Sequence, residues 1–167
     1  MGETNNIINL KKAKEEIVNI LKSYNPVIHT NDDEGYDWLS DGNYSIIVEK
    51  NKKEILWIDL TDEITIGLGY FHSHYNLSFE DYEEFKRDLN DIVKAKICAV
   101  SIICDGQWYK SRCIDTNDLS LETLTKKLEI KQISKEYKKR FNEYKIECNF
   151  LDSTKDIIYE IPIVTNK

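Results

Sequence analysis

A chain of 167 residues with 41% hydrophobic content carries enough apolar mass for one packed globular domain. Two prolines and six glycines exclude a fibrous or low-complexity chain, and three Trp, ten Tyr and five Phe argue against disorder. The net charge of −7 argues against a general nucleic-acid surface, and no run of about 18 apolar residues suggests a membrane span.

The first predicted element is a helix from about Asn5 to Tyr24, with Ile7, Leu10, Ile17, Leu21 and Tyr24 at helical spacing. Pro26 ends it, because proline lacks the amide hydrogen that the helix would use. A long acidic loop from Val27 to Asn43 follows, and a loop of that length is either functional or hides a short element. Three strands come next, Tyr44–Lys50, Lys53–Leu60 and Glu63–Tyr70, joined by turns short enough to require an antiparallel meander. Ser78 caps a second helix, with Phe79, Tyr82, Phe85, Leu89 and Ile92 as its apolar stripe.

The apolar run Lys96–Cys104 marks a strand covered on both faces, hence one inside a sheet. Asp105-Gly106 turns it into a return strand, Gln107–Ile114, since both residues tolerate positive φ. Asp118 or Ser120 caps a third helix carrying Leu121, Leu124 and Leu128. A fourth, basic helix is suggested by Ile133, Tyr137, Phe141 and Tyr144. Tyr144, Ile146, Cys148 and Phe150 also alternate as a strand. A last strand, Ile157–Ile163, holds Pro162 and so lies at an edge or ends there. No repeat or linker appears. The expected architecture is a single α+β domain spanning residues 1–167, mainly an antiparallel sheet with helices packed largely on one face.

The opening segment MGETNNIINLKKAKEE lacks the apolar core of a secretory signal, and Asn6 breaks the myristoylation pattern, so a cytoplasmic location is expected. Cys98, Cys104, Cys113 and Cys148 form no Cys-x-x-Cys unit and read as reduced, buried thiols rather than zinc ligands. Charge is unevenly spread: residues 1–100 hold 11 basic against 19 acidic side chains, while the remainder hold 12 against 11. Acidity is densest at Asp32, Asp33, Glu34, Asp37 and Asp41, and again at Glu80, Asp81, Glu83, Glu84, Asp88 and Asp91. The basic and aromatic run Lys126, Lys127, Lys131, Lys135, Tyr137, Lys138, Lys139, Arg140 and Phe141 reads as a solvated helix face, not as a nucleic-acid surface.

Two segments are candidate sites. The first is His72-Ser73-His74, at the end of the third meander strand. Were that strand to keep its period of two, both imidazoles would share the core face of Ile64, Ile66, Leu68 and Tyr70. They would then sit where the sheet meets the second helix, either as hydrogen-bonded structural groups or as metal ligands with Asp81. The Ser78-x-x-Asp81 pattern resembles, together with the histidines, the zinc motif of JAMM-type metalloproteases. Tyr75 stands where that motif has proline, however, the gap to Ser78 is too short, and no upstream glutamate is placed as the base. A capped helix with an acidic third residue explains Ser-x-x-Asp more simply. The second candidate is the loop Asp32–Asp41, in which Asp32, Asp33, Glu34, Asp37 and Asp41 surround Tyr36 and Trp38. These are carboxylates and aromatic anchors suited to a basic protein partner. The alternative is a solvated connection whose Trp38 tucks into the core.

The stretch Glu63–Ile114, EITIGLGYFHSHYNLSFEDYEEF and then KICAVSIICDGQWYKSRCI, resembles small immunity proteins of bacterial toxin systems over about a third of the chain. That resemblance implies a cytoplasmic protein that binds and neutralises a toxin; the expectation is a non-enzymatic protein with no cofactor, nucleic acid or membrane involved. The competing expectation is a metal-dependent hydrolase centred on His72 and His74.

Overall fold

The computed structural model describes residues 7–50, 53–130, 132–133 and 141–162. They form an antiparallel α+β structure, as expected, but the strands divide between two sheets. Each sheet belongs to its own compact unit, one up to Lys94 and one from Ala95 onward.

In the first unit, helix α1 spans Leu10–Leu21 and buries Ala13, Ile17 and Leu21. It starts later than the apolar spacing suggests because Asn9 caps it, accepting the Lys12 amide at 3.0 Å. Ile7 and Ile8 are extended instead, and the Ile8 amide donates to the Leu77 carbonyl at 2.9 Å. Asn5 and Asn6 lie outside the described residues. A short 3₁₀ turn, Lys22–Tyr24, closes at Asn25, whose φ of 52° reverses the chain before Pro26.

Strands β1 (Val27–His29), β2 (Tyr44–Lys50), β3 (Lys53–Leu60), β4 (Ile64–Leu68) and β5 (Phe71–Tyr75) pair antiparallel in sequence order. β1 is the short element hidden at the head of the acidic loop. Ile46, Val48, Leu56, Ile58, Leu60, Ile64, Ile66 and Leu68 face the core and are almost fully buried. Helix α2 (Phe79–Val93) supplies Tyr82, Phe85, Leu89 and Ile92 to that core. Phe79, expected in the same stripe from its spacing, is instead 57% exposed. The Ser78 hydroxyl caps α2 by accepting the Asp81 amide at 3.1 Å. The helices are pinned where the Tyr82 hydroxyl donates to Glu16 at 3.0 Å and Lys86 reaches Glu16 at 3.3 Å.

The third meander strand does not run on to His74. It stops at Leu68, and Gly69 (φ 59°) with Tyr70 makes a two-residue hairpin into β5. Two turn residues shift the side-chain parity by one. Phe71, Ser73 and Tyr75 therefore take the core side, while His72 stands opposite Gly67 and His74 opposite Thr65. Both imidazoles are exposed on the outer face of the sheet, not at its corner with α2.

The second unit contains β6 (Ile97–Cys104), β7 (Gln107–Asp115), helix α3 (Leu121–Lys127), β8 (Glu143–Asn149) and β9 (Ile157–Pro162). The sheet order is β7-β6-β8-β9, so β6 is internal and is buried from Cys98 to Cys104, as its apolar run requires. Asp105 (φ 47°) and Gly106 (φ 77°) form the turn between β6 and β7. The Asp105 carboxylate also accepts the Asn142 amide at 2.9 Å. Ser120 caps α3 by accepting the Thr123 amide. Its Leu124 packs with Leu128, Ile133 and Phe141 against Val100, Ile102, Ile146 and Cys148. β9, with Pro162, is an edge strand. Most of the suggested basic helix, including Lys131, Lys135, Tyr137, Lys138, Lys139 and Arg140, lies outside the described residues. Among the described residues no helix is long and apolar enough to cross a membrane.

Candidate functional site

Apart from Asp81, the candidate side chains gather on the outer face of the first sheet and in the loop over it. The register lays two rows across all five strands. One runs His29–Ser45–Asp59–Thr65–His74, and the other Val27–Ile47–Trp57–Gly67–His72. All three histidines of the protein stand on this face, at its two ends.

The acidic loop folds over the β1–β3 side. Four tight turns order it, closed by amide-to-carbonyl bonds from Asp33 to Thr30 (3.1 Å), Tyr36 to Asp33 (3.1 Å), Leu39 to Tyr36 (2.9 Å) and Asn43 to Ser40 (3.0 Å). Gly35 and Gly42 take φ of 85° and 80° within two of these turns, a region costly for other residues. The Asp33 carboxylate accepts the Thr30 amide at 2.7 Å and lies 3.8 Å from His29 Nδ1. The His29 ring stacks on Tyr36 with centroids 3.9 Å apart and planes 4° from parallel. Trp38 also leans on Tyr36, centroids 6.3 Å apart.

Leu39, 4% exposed, anchors the loop, whereas Trp38 is left 55% exposed. The tryptophan therefore does not tuck into the core, and its neighbour in sequence does. Asp32, Asp33, Glu34, Asp37 and Asp41 are all exposed around the aromatic pair. Beneath them Tyr36, Trp38, Ser45, Ile47, Trp57 and Asp59 line an open cleft of about 200 Å³.

Trp57 owes its position to Gly67. A Cβ built on Gly67 would stand 2.1 Å from Trp57 Cε2, so the indole lies against the bare backbone of β4. Asp59 is half-buried beside it and accepts the Ser45 hydroxyl at 2.6 Å. Burial pushes its carboxyl above the usual range, and the Ser45 bond only partly offsets this. Folding thus favours the protonated acid. That contribution is present at low pH and is lost as pH rises through the folded-state value. Asp59→Asn keeps an oxygen for Ser45 without the charge. It is expected to raise the thermal midpoint near neutral pH, with the gap from wild type closing toward about pH 4. Thermal melts across that range check this.

At the far end, His74 Nδ1 lies 2.7 Å from Glu63 Oε1 and 3.2 Å from the Thr65 hydroxyl, and its ring meets His72 edge-on at 5.4 Å. Asp81 does not join them. Its carboxylate accepts the side chain (2.7 Å) and backbone amide (3.1 Å) of Asn76, bonds that hold it below the usual carboxylate value. No group of three His, Cys, Asp or Glu side chains able to hold a metal occurs among the described residues of this single chain.

In the second acidic cluster two further carboxylates serve the structure: Glu83 pairs with Lys86 at 2.7 Å, and Asp88 accepts the Tyr75 hydroxyl at 2.6 Å. Cys98, hydrogen-bonded to the Cys148 sulfur and buried, is held protonated and unreactive. The Ser45 hydroxyl donates its hydrogen bond to the Asp59 carboxylate and not to an imidazole.

Ser45, Trp57, Asp59 and Gly67 belong to no motif that marks them in the sequence. Their signal is the alternation within Tyr44–Lys50, Lys53–Leu60 and Ile64–Leu68, which puts them opposite the core residues once register is known. Comparison with known protein families, with curated proteins and with solved structures finds no match for this chain.

Proposed function

We propose that this protein is a non-enzymatic binding protein, most concretely an immunity protein that docks and neutralises a basic toxin domain on the outer face of its first sheet. One observation carries the reading. An ordered loop holds Trp38 out in solvent beside Tyr36, ringed by Asp32, Asp33, Glu34, Asp37 and Asp41. Leaving a tryptophan exposed forgoes the burial free energy of a large aromatic surface, and interface centres are where such anchors recur. The carboxylates add orientation and association rate toward a positive partner. The shallow, open cleft at Tyr36, Trp38 and Trp57 suits a protruding side chain of a protein rather than an enclosed small molecule.

Trp38→Ala with Asp37→Ala is expected to weaken binding of the cognate toxin domain ten- to a hundredfold, or about 1.4–2.7 kcal/mol. The wild-type affinity is expected to fall as salt is raised. Calorimetric titration of both proteins at two ionic strengths checks this. An unchanged affinity in the double variant would end the proposal.

A further inference from the structure

β5 is the last strand of its sheet, and among the described residues nothing pairs with its outer edge. The hairpin geometry fixes what that edge offers. Leu68 and Phe71 close a two-residue turn and so form a hydrogen-bonded pair, after which bonded and non-bonded pairs alternate. His72 and His74 occupy the non-bonded positions. Their backbone N–H and C=O groups therefore point away from β4, toward the free edge.

The strand itself, Phe71-His72-Ser73-His74-Tyr75, reads aromatic-His-Ser-His-aromatic in both directions. A segment of this kind is complementary to itself under a two-fold axis. Antiparallel pairing of two copies about Ser73 sets His72 of each opposite His74 of the other, with Cβ atoms about 5.5 Å apart. Phe71 then faces Tyr75, and the four outward backbone groups of each strand find partners. The strand bears no Lys, Glu or proline, the residues that usually guard an edge.

The side chains point to a ligand as well. His74 Nδ1 is held by Glu63 at 2.7 Å, which leaves Nε2 free to bind, and a carboxylate on the second nitrogen is the usual support of a metal-ligating histidine. His72 stands on the same face with its ring 5.4 Å from that of His74, and both are exposed. One chain thus offers two imidazoles, half of a tetrahedral site.

We propose that two copies of this protein join edge to edge through β5 and bind one divalent transition-metal ion, of which zinc is the type, between the four imidazoles of His72 and His74. Four backbone hydrogen bonds are too few to offset the entropy of association, so the metal-free chain stays monomeric and the metal drives the pairing. The inference is independent of the partner-binding reading, which rests on the acidic loop at the other end of the same face.

Sedimentation velocity of the full chain with added zinc tests it. The mass is expected to double from 19.7 kDa, saturating at one zinc per two chains, and to return on adding a chelator. His72→Ala and His74→Ala, both at exposed positions, are each expected to abolish the shift while leaving the circular dichroism unchanged. Glu63→Gln is expected to raise the zinc needed by about tenfold or more. A mass that ignores zinc, saturation at one zinc per chain without dimerisation, or a dimer that survives loss of either histidine would each overturn the proposal.

Discussion

Phe85→Ala is expected to cost the first unit about 4 kcal/mol, a large share of the stability of a small domain. The ring is fully buried and touches Tyr75 edge-on at 5.5 Å and Tyr82 in a stacked pair at 6.1 Å. It thereby joins α2 both to β5 and to its own preceding turn. Truncation removes the transfer free energy of the ring and leaves a void among rigid neighbours, a combination that costs about 3–5 kcal/mol in tight cores. Tyr75 is further tied to α2 by its bond to Asp88, so it cannot swing in to fill the space. Urea unfolding checks the figure. A loss below about 1 kcal/mol would mean that this core is loosely packed.

Gly67→Val is expected to destabilise the first unit by about 3 kcal/mol, against the trend of strand propensity. Valine is among the best strand formers and glycine among the worst, so propensity alone predicts a gain. Packing decides the sign. The Trp57 indole occupies the place of the missing Cβ, and even a methyl there would lie 2.1 Å from the ring. Either the indole leaves the face or the strands part, and overpacking of this kind costs about 1–3 kcal/mol or somewhat more. The same urea experiment gives a diagnostic control. Trp57→Ala in the Gly67→Val background is expected to recover most of the loss, since the clash is removed. Independent, additive effects of the two changes would contradict the placement of Trp57.

Much of the fold can be read in the chain wherever local chemistry decides the outcome. Tyr44–Lys50 and Lys53–Leu60 occur at the expected bounds because β-branched and aromatic residues alternate between clear turn signals. Ser78 and Ser120 cap the helices that follow them, and Asp105-Gly106 reverses the chain where positive φ is tolerated. What fails to show locally is parity. In Ile-Gly-Leu-Gly-Tyr-Phe-His the period of two can be carried straight through Gly69-Tyr70, and only a hairpin there moves His72 and His74 to the outer face. Gly69 at the first turn position is the one cue available.

The division of strands between two sheets is equally hidden: the chain turns from acidic to nearly neutral around residue 100, but no linker or Pro/Gly-rich stretch marks Lys94–Ala95. The acidic loop could be picked out by its residues. Its footing could not, because Leu39 rather than Trp38 anchors it, and the face beneath depends on a register linking residues far apart in sequence. The Trp57–Gly67 contact is a match of volumes across two strands and has no signature in either strand alone.

The most direct test of the central claim is protection of living cells. Any toxin encoded in the neighbouring genes is co-expressed with the wild-type protein, with the Trp38→Ala/Asp37→Ala variant, or with neither, and survival is counted. Survival with the wild type, and death with an equally abundant, folded variant, is the expected result. Full protection by the variant, or none by the wild type, would contradict the proposal that this face docks a toxin.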